Sequence, residues 1–204
     1  MLLIFGLTVR YRPMEAGSFH CPREGGDRDY VLLEARRWAS LFFVPLFPLK
    51  VLGMVVECES CHGRFDSVTL RMPTSATMEH KIDVAARSLL GAVAACDPMT
   101  HAHAVSELEG FLGAPTYCAS DLVAHSRIQT PAQRQEVLAA AGRVLDPAGR
   151  ESLLMAAARA GARAGAISAD IRRLVSEAGV ALGMTPVHVE GVLTVAQRAV
   201  DEAV

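Results

Sequence analysis

Four side chains in the first third of the chain have the types and spacing to hold a metal ion. Cys58 and Cys61 form a C-x-x-C turn, with His62 and Gly63 directly behind it. Such a turn brings two thiolates onto one ion, and the glycine suits the tight knuckle that follows. A tetrahedral site needs two more ligands. The stretch Cys21-Pro22-Arg23-Glu24-Gly25-Gly26 has the form of a partner knuckle, with Cys21 in the first ligand position and Glu24 in the second. A carboxylate can also bind zinc, so Cys21, Glu24, Cys58 and Cys61 make a set of three thiolates and one carboxylate for a structural zinc ion. His20 and His62 are rivals for the fourth position. A redox role for the C-x-x-C would require a strand-to-helix turn in a βαβ unit, and the surrounding sequence has none.

Those residues must be placed by short strands. Residues 1–72 are rich in β-branched, aromatic, Gly and Pro residues, and the pattern predicts strands at 2–10, 17–20, 29–35, 41–44 and 50–57. A β module this small buries little surface and calls for a staple, which the cysteines supply. Met72-Pro73-Thr74-Ser75 reads as a linker, so the domains are expected at 1–72 and 73–204. Beyond it, Ala, Leu, Arg and Glu recur at helical spacing. Helices are predicted from Ser75 to about Cys96, from Thr100 to the stop at Gly113, over 120–128, and after the caps Thr130-Pro131, Asp146-Pro147, Ser168 and Thr185-Pro186, with Gly183 as a further stop. The fold class is therefore α+β: a small N-terminal β module followed by an all-helical bundle. Val105-Ser106-Glu107 through Leu112-Gly113 is echoed by Val175-Ser176-Glu177 through Leu182-Gly183, each followed by a proline (Pro115 and Pro186), which suggests two related helix pairs.

The first part resembles the bacterial zinc-ribbon family with two CPxC-type knuckles. The match rests on Phe19-His20-Cys21-Pro22, on Arg36-Arg37-Trp38, on Leu41-Phe42-Phe43-Val44-Pro45 through Leu49, and on Cys58-x-x-Cys61. This implies a zinc ribbon over about residues 1–70, with Glu24 where the family has cysteine. Residues 80–200 are similar in layout to the TerB-like tellurite-resistance domain, a helical bundle of two related halves. Ala164-Gly165-Ala166-Ile167-Ser168 and Leu182-Gly183-Met184-Thr185 stand at its second motif, and Asp97-Pro98 at its first. Ala164 replaces the family's aspartate, Ile171 stands where its glutamate is expected with Asp170 one place away, and Glu107 is out of register. The resemblance thus implies the bundle and a link to tellurite or other oxyanion stress, without the family's acidic metal site.

Charge excludes little but directs the rest. The chain has 20 Lys and Arg against 22 Asp and Glu, a net −2, so nothing pulls it as a whole toward a polyanion. Arg23, Arg28, Arg36 and Arg37 around Trp38 offer the alternative of a nucleic-acid-binding regulator. No GxSxG, P-loop, GxGxxG or HExxH motif occurs, and the expected function is non-catalytic: an interaction or scaffold protein with protein partners. Cys96 and Cys118 read as small buried hydrophobes. The apolar run over 41–49 is expected to form the ribbon's core, to pack on the bundle, or to make a homo-oligomer or membrane-edge contact, in that order. It contains Pro45 and Pro48 and is too short for a transmembrane helix, and the protein is expected in the cytoplasm.

Overall fold

The computed structural model describes residues 5–41, 44–113 and 118–202. The chain divides into two compact units, Met1–Thr77 and Met78–Val204. The architecture is α+β, a four-stranded antiparallel sheet followed by a seven-helix all-α region.

In the first unit the strands run β1 (Phe5–Cys21), β2 (Gly26–Leu41), β3 (Val44–Cys58) and β4 (Arg64–Asp66), and they lie in sequence order. They are far longer than the five short strands the sequence suggests. Pro13, Pro45 and Pro48 read as breaks, but they fall on β1 and on the stretch of β3 beyond β4, where one strand edge has no partner among the described residues. Proline is tolerated on such edge strands and at bulges. The ladders absorb the irregularities as register shifts at Pro13/Glu15 in β1 and at Ala35/Arg36, Arg36/Trp38 and Ala39/Ser40 where β2 meets β3. Residues 2–4 of the first expected strand, Phe42 and Phe43 of the fourth, and Pro115 of the echo lie outside the described residues.

The core of this unit sits at one end of the sheet. Phe19, Cys21, Tyr30, Val56 and Cys58 are buried together, with Leu32, Cys61, Phe65 and Leu70 against them. Phe19 meets Tyr30 edge-on at 5.5 Å, and Phe65 lies 6.0 Å from Phe19. A Cβ at Gly17 would come within 3.1 Å of the Tyr30 ring, which packs closely over this position of β1. The 41–49 run does not join this core. Val44, Leu46, Phe47 and Leu49 are exposed: they lie at the start of β3, which reaches the core only at Val56. A 3₁₀ turn at Ser67–Arg71 follows β4, and the Ser75 N–H donates to Asp27 Oδ2, tying the end of the unit back to β2.

The helices are α1 (Ser75–Cys96), α2 (His101–Leu112), α3 (Ala119–Ile128), α4 (Pro131–Gly142), α5 (Pro147–Ala162), α6 (Ala169–Ala181) and α7 (Pro186–Asp201). Four of the expected caps form; Thr100 makes no side-chain capping bond to α2, and at α1 Thr74, not Ser75, accepts a first-turn N–H, that of Thr77. Thr130 makes a capping box with Gln133, and the side chains of Asp146, Ser168 and Thr185 accept N–H groups of the first turns of α5, α6 and α7. Gly113 and Gly183 end α2 and α6 with φ of 65° and 84°, which only glycine adopts freely. The core is Leu, Val, Ile and many alanines. Its backbones approach closely: a Cβ at Gly179 would lie 2.3 Å from Val189 Cγ2.

Two expectations change here. Cys96 and Cys118 are exposed, since one is the last residue of α1 and the other the cap of α3, and helix ends lie at the surface. The echoed helices share their glycine stops and the buried pair Leu108 and Ala178, but other positions differ. Glu107 on α2 is buried while Glu177 on α6 is exposed. Glu107 is held by Arg159 at 2.9 Å and Arg163 at 3.1 Å, both from the α5 end. The sequence singled out Glu107 only as an out-of-register acid; its burial depends on arginines more than fifty residues away.

Candidate metal centre

Cys21 is the last residue of β1 and Cys58 the last of β3. The turn after Cys21 closes with the Gly25 N–H on the Cys21 carbonyl at 2.9 Å, and Gly25 has φ of 66°. The turn after Cys58 closes twice: the His62 N–H donates to the Cys58 carbonyl, and the Cys58 N–H to the Gly63 carbonyl, both at 3.0 Å. His62 adopts φ of 51°, the left-handed conformation the knuckle demands. The Gly63 N–H points at Cys61 Sγ, 3.4 Å away. A Cβ at Gly63 would lie 3.1 Å from that sulfur and 3.0 Å from the Phe65 ring, so any larger residue there would crowd both.

These turns bring three sulfurs together. Cys21, Cys58 and Cys61 place their Sγ atoms within 4.8 Å of one another, two of them buried and the third partly so. Cys21 Sγ and Cys61 Sγ are 3.8 Å apart. Zinc–thiolate bonds of about 2.3 Å in a tetrahedron put neighbouring sulfurs about 3.8 Å apart, so the donor set and its spacing fit a zinc ion. All three are free thiols.

The local electrostatics favour a thiolate. Burial pushes the Cys58 thiol up, but the N–H groups of Cys61 and Ser60, with the Cys61 and Cys21 thiols, outweigh it, and Cys58 ends below the ordinary thiol value. For Cys61 the Gly63 N–H favours the thiolate, yet burial and the neighbouring Cys58 and Cys21 sulfurs prevail and hold the thiol up. A bound cation would favour the thiolate form of all three sulfurs together.

The remaining expected ligands are not in this cluster. Glu24 pairs with Arg28. His20 lies across the ladder from Asp27, its Nδ1 3.5 Å from Asp27 Oδ1. His62 is exposed at the knuckle. The four arginines do not make one surface. Arg28 is tied to Glu24 and Arg36 to Glu34 at 3.0 Å, and Arg37 stands at a register shift of the β2–β3 ladder. Arg23 sits on the β1–β2 turn. No described helix is long and apolar enough to cross a membrane.

No family model matches the chain, and no curated protein or solved structure matches it either. What stands is an N-terminal antiparallel sheet with a candidate three-cysteine metal site, joined to a C-terminal helical domain.

Proposed function

We propose that the N-terminal unit is a zinc-held ribbon that serves as a docking module, and that the protein acts by binding partners rather than by turning over a substrate. One observation carries this reading: three thiols converge within 4.8 Å of one another, one pair at 3.8 Å, on two knuckles that each carry a glycine. Three thiolates hold zinc in a structural role, and closing the fourth position removes the open site that zinc catalysis needs. Glu24 is the favoured fourth ligand. It follows Cys21 by three residues, the knuckle spacing, and its carboxylate has only to leave Arg28 on the exposed turn. His20 and His62 remain the rivals. The helical unit is then the second binding surface. Its likeness in layout to the TerB domain supports a role in tellurite or other oxyanion stress.

Native mass spectrometry of the protein, with Cys58→Ser and Glu24→Gln variants, tests this. One zinc per chain is expected, absent in Cys58→Ser and readily stripped by a weak chelator in Glu24→Gln. A parent protein that takes up no zinc, with all three thiols still reduced, would sink the metal-held module.

A further inference from the structure

The outer half of the sheet has a composition unlike the rest of the chain. From Trp38 to Leu49 and from Phe5 to Val9 the sequence holds no charged residue. Immediately behind this stretch come Arg10, Arg12, Arg36, Arg37 and Lys50. Residues 5–13 and 35–54 together contain those five cations and no acid, in a chain whose net charge is −2.

The ladder register turns this into layers. At the outer end Phe5, Leu41 and Val44 stand in one row across three strands. Leu7, Ala39 and Phe47 form another, and Thr8, Trp38 and Pro48 the next. The first cation appears where Val9 pairs with Arg37, and the next row is Arg10, Arg36 and Val51, with Lys50 beside it. Arg12, Glu34 and Met54 follow. Four residues separate the Phe5 row from the Val9 row, roughly 13 Å at about 3.3 Å per residue. The hairpin is thus an apolar end of that depth, then aromatic side chains, then a basic belt. Tyr11 joins the belt with Arg64 stacked 4.1 Å over its ring.

The apolar end is open. Phe47 is 67% exposed, Leu7 63% and Val44 57%, with Leu46 and Leu49 close behind. Within the belt only Arg36 has a carboxylate partner, Glu34. Among the described residues no acid pairs with Arg10, Arg12, Arg37 or Lys50.

We propose that this hairpin end is a membrane-docking site for an anionic lipid bilayer. The uncharged rows enter the headgroup–acyl boundary, Trp38 and Tyr11 lie at the polar interface, and the cations meet anionic headgroups. Peripheral helices and membrane-interface belts divide their side chains the same way, apolar inward, aromatic at the boundary and basic outside. Charge decides against the other occupants. A second copy docking through the same end would set five cations against five. A nucleic acid would satisfy the belt but leave the exposed Leu7, Val44 and Phe47 facing phosphate and water. The site is separate from the cysteine knuckles and does not depend on their metal.

Trp38 is the only tryptophan in the chain, so its emission reports on this interface alone. The full-length protein is mixed with phosphatidylcholine vesicles with and without phosphatidylserine, following Trp38 emission and co-sedimentation. Blue-shifted emission and pelleting are expected with the anionic vesicles, weakening as salt rises. Phe47→Asp should abolish both. Arg37→Gln should weaken binding roughly fivefold, the loss of about one basic contact. Both positions are exposed, and unchanged circular dichroism checks that the variants fold. The proposal fails if the anionic vesicles give neither signal at low salt. It fails equally if Phe47→Asp binds like the parent, or if binding is the same on neutral vesicles and Arg37→Gln has no effect. A concentration-dependent dimer that Phe47→Asp dissolves, without vesicle binding, assigns the surface to a second copy and overturns it. So does a Trp38 response to an oligonucleotide but not to vesicles.

Discussion

The two units bury their interiors by different means. In the helical unit the buried cluster is aliphatic throughout, built from alanines, leucines and β-branched residues on all seven helices, and it contains no cysteine. In the β unit the buried cluster is small, and two of its members, Cys21 and Cys58, are the candidate ligands themselves. Apolar burial at about 25 cal/mol per Å² can carry the first. The second is slight for a sheet of this length, and on the proposed zinc-ribbon reading coordination adds what packing lacks. One unit is held by packing; the other, on that proposal, by packing around a cation.

The largest effect that follows is selective unfolding. Stripping the metal with a strong chelator, or replacing Cys58 by Ser, should unfold the knuckle end of the β unit while the helical unit keeps its structure. Apparent metal-binding energies in small structural zinc sites are on the order of 10 kcal/mol, so the loss should be complete rather than graded. Limited proteolysis with far-UV circular dichroism reads both units in one sample: rapid cleavage before Thr77, with helical signal preserved. A single transition in which helices and sheet are lost together would break the contrast between the units.

The reverse perturbation is expected to be smaller. Gly179→Ala sets a methyl 2.3 Å from Val189 Cγ2, where α6 crosses α7. Overpacking of this kind costs about 1–3 kcal/mol. Thermal melting followed at the helical wavelength should shift downward, while zinc content stays at the parent value. A variant that also loses metal would mean the two units are not energetically separate.

Much of this was legible in the sequence, and the failures have definite causes. Caps are local chemistry: Thr130, Asp146, Ser168 and Thr185 each satisfy N–H groups two or three residues on, so the residue types alone locate α4 to α7. The three thiols were legible for the same reason, because each knuckle is a short turn with its own glycine. The strands were misjudged because Pro13, Pro45 and Pro48 stop a strand only where a partner needs their N–H, and edge position is a property of the assembled sheet. β4 is too short to leave a periodic signal at all. Glu107 shows the limit most clearly. Its buried role is set by Arg159 and Arg163, and no local pattern on α2 announces them.

The two exposed cysteines of the helical unit offer the finest contrast with the clustered thiols. The Ser120 hydroxyl lies 2.9 Å from Cys118 Sγ. With the Ser120 and Asp121 N–H groups at the start of α3, it holds the Cys118 thiol below its ordinary value. Partial burial, aided by Asp170, pushes the Cys96 thiol up despite Arg134 and Arg173. Near neutral pH, Cys118 therefore carries more thiolate and should alkylate several-fold faster than Cys96, the gap narrowing as the pH rises and Cys96 also ionises. Timed alkylation with peptide mapping measures both in one reaction. The same map reads the ribbon: Cys21, Cys58 and Cys61 should stay unlabelled until a chelator is added, then react together. Equal rates at Cys96 and Cys118 would remove the helix-start effect, and ribbon thiols that label at once without chelator would remove the cation from the β unit's account.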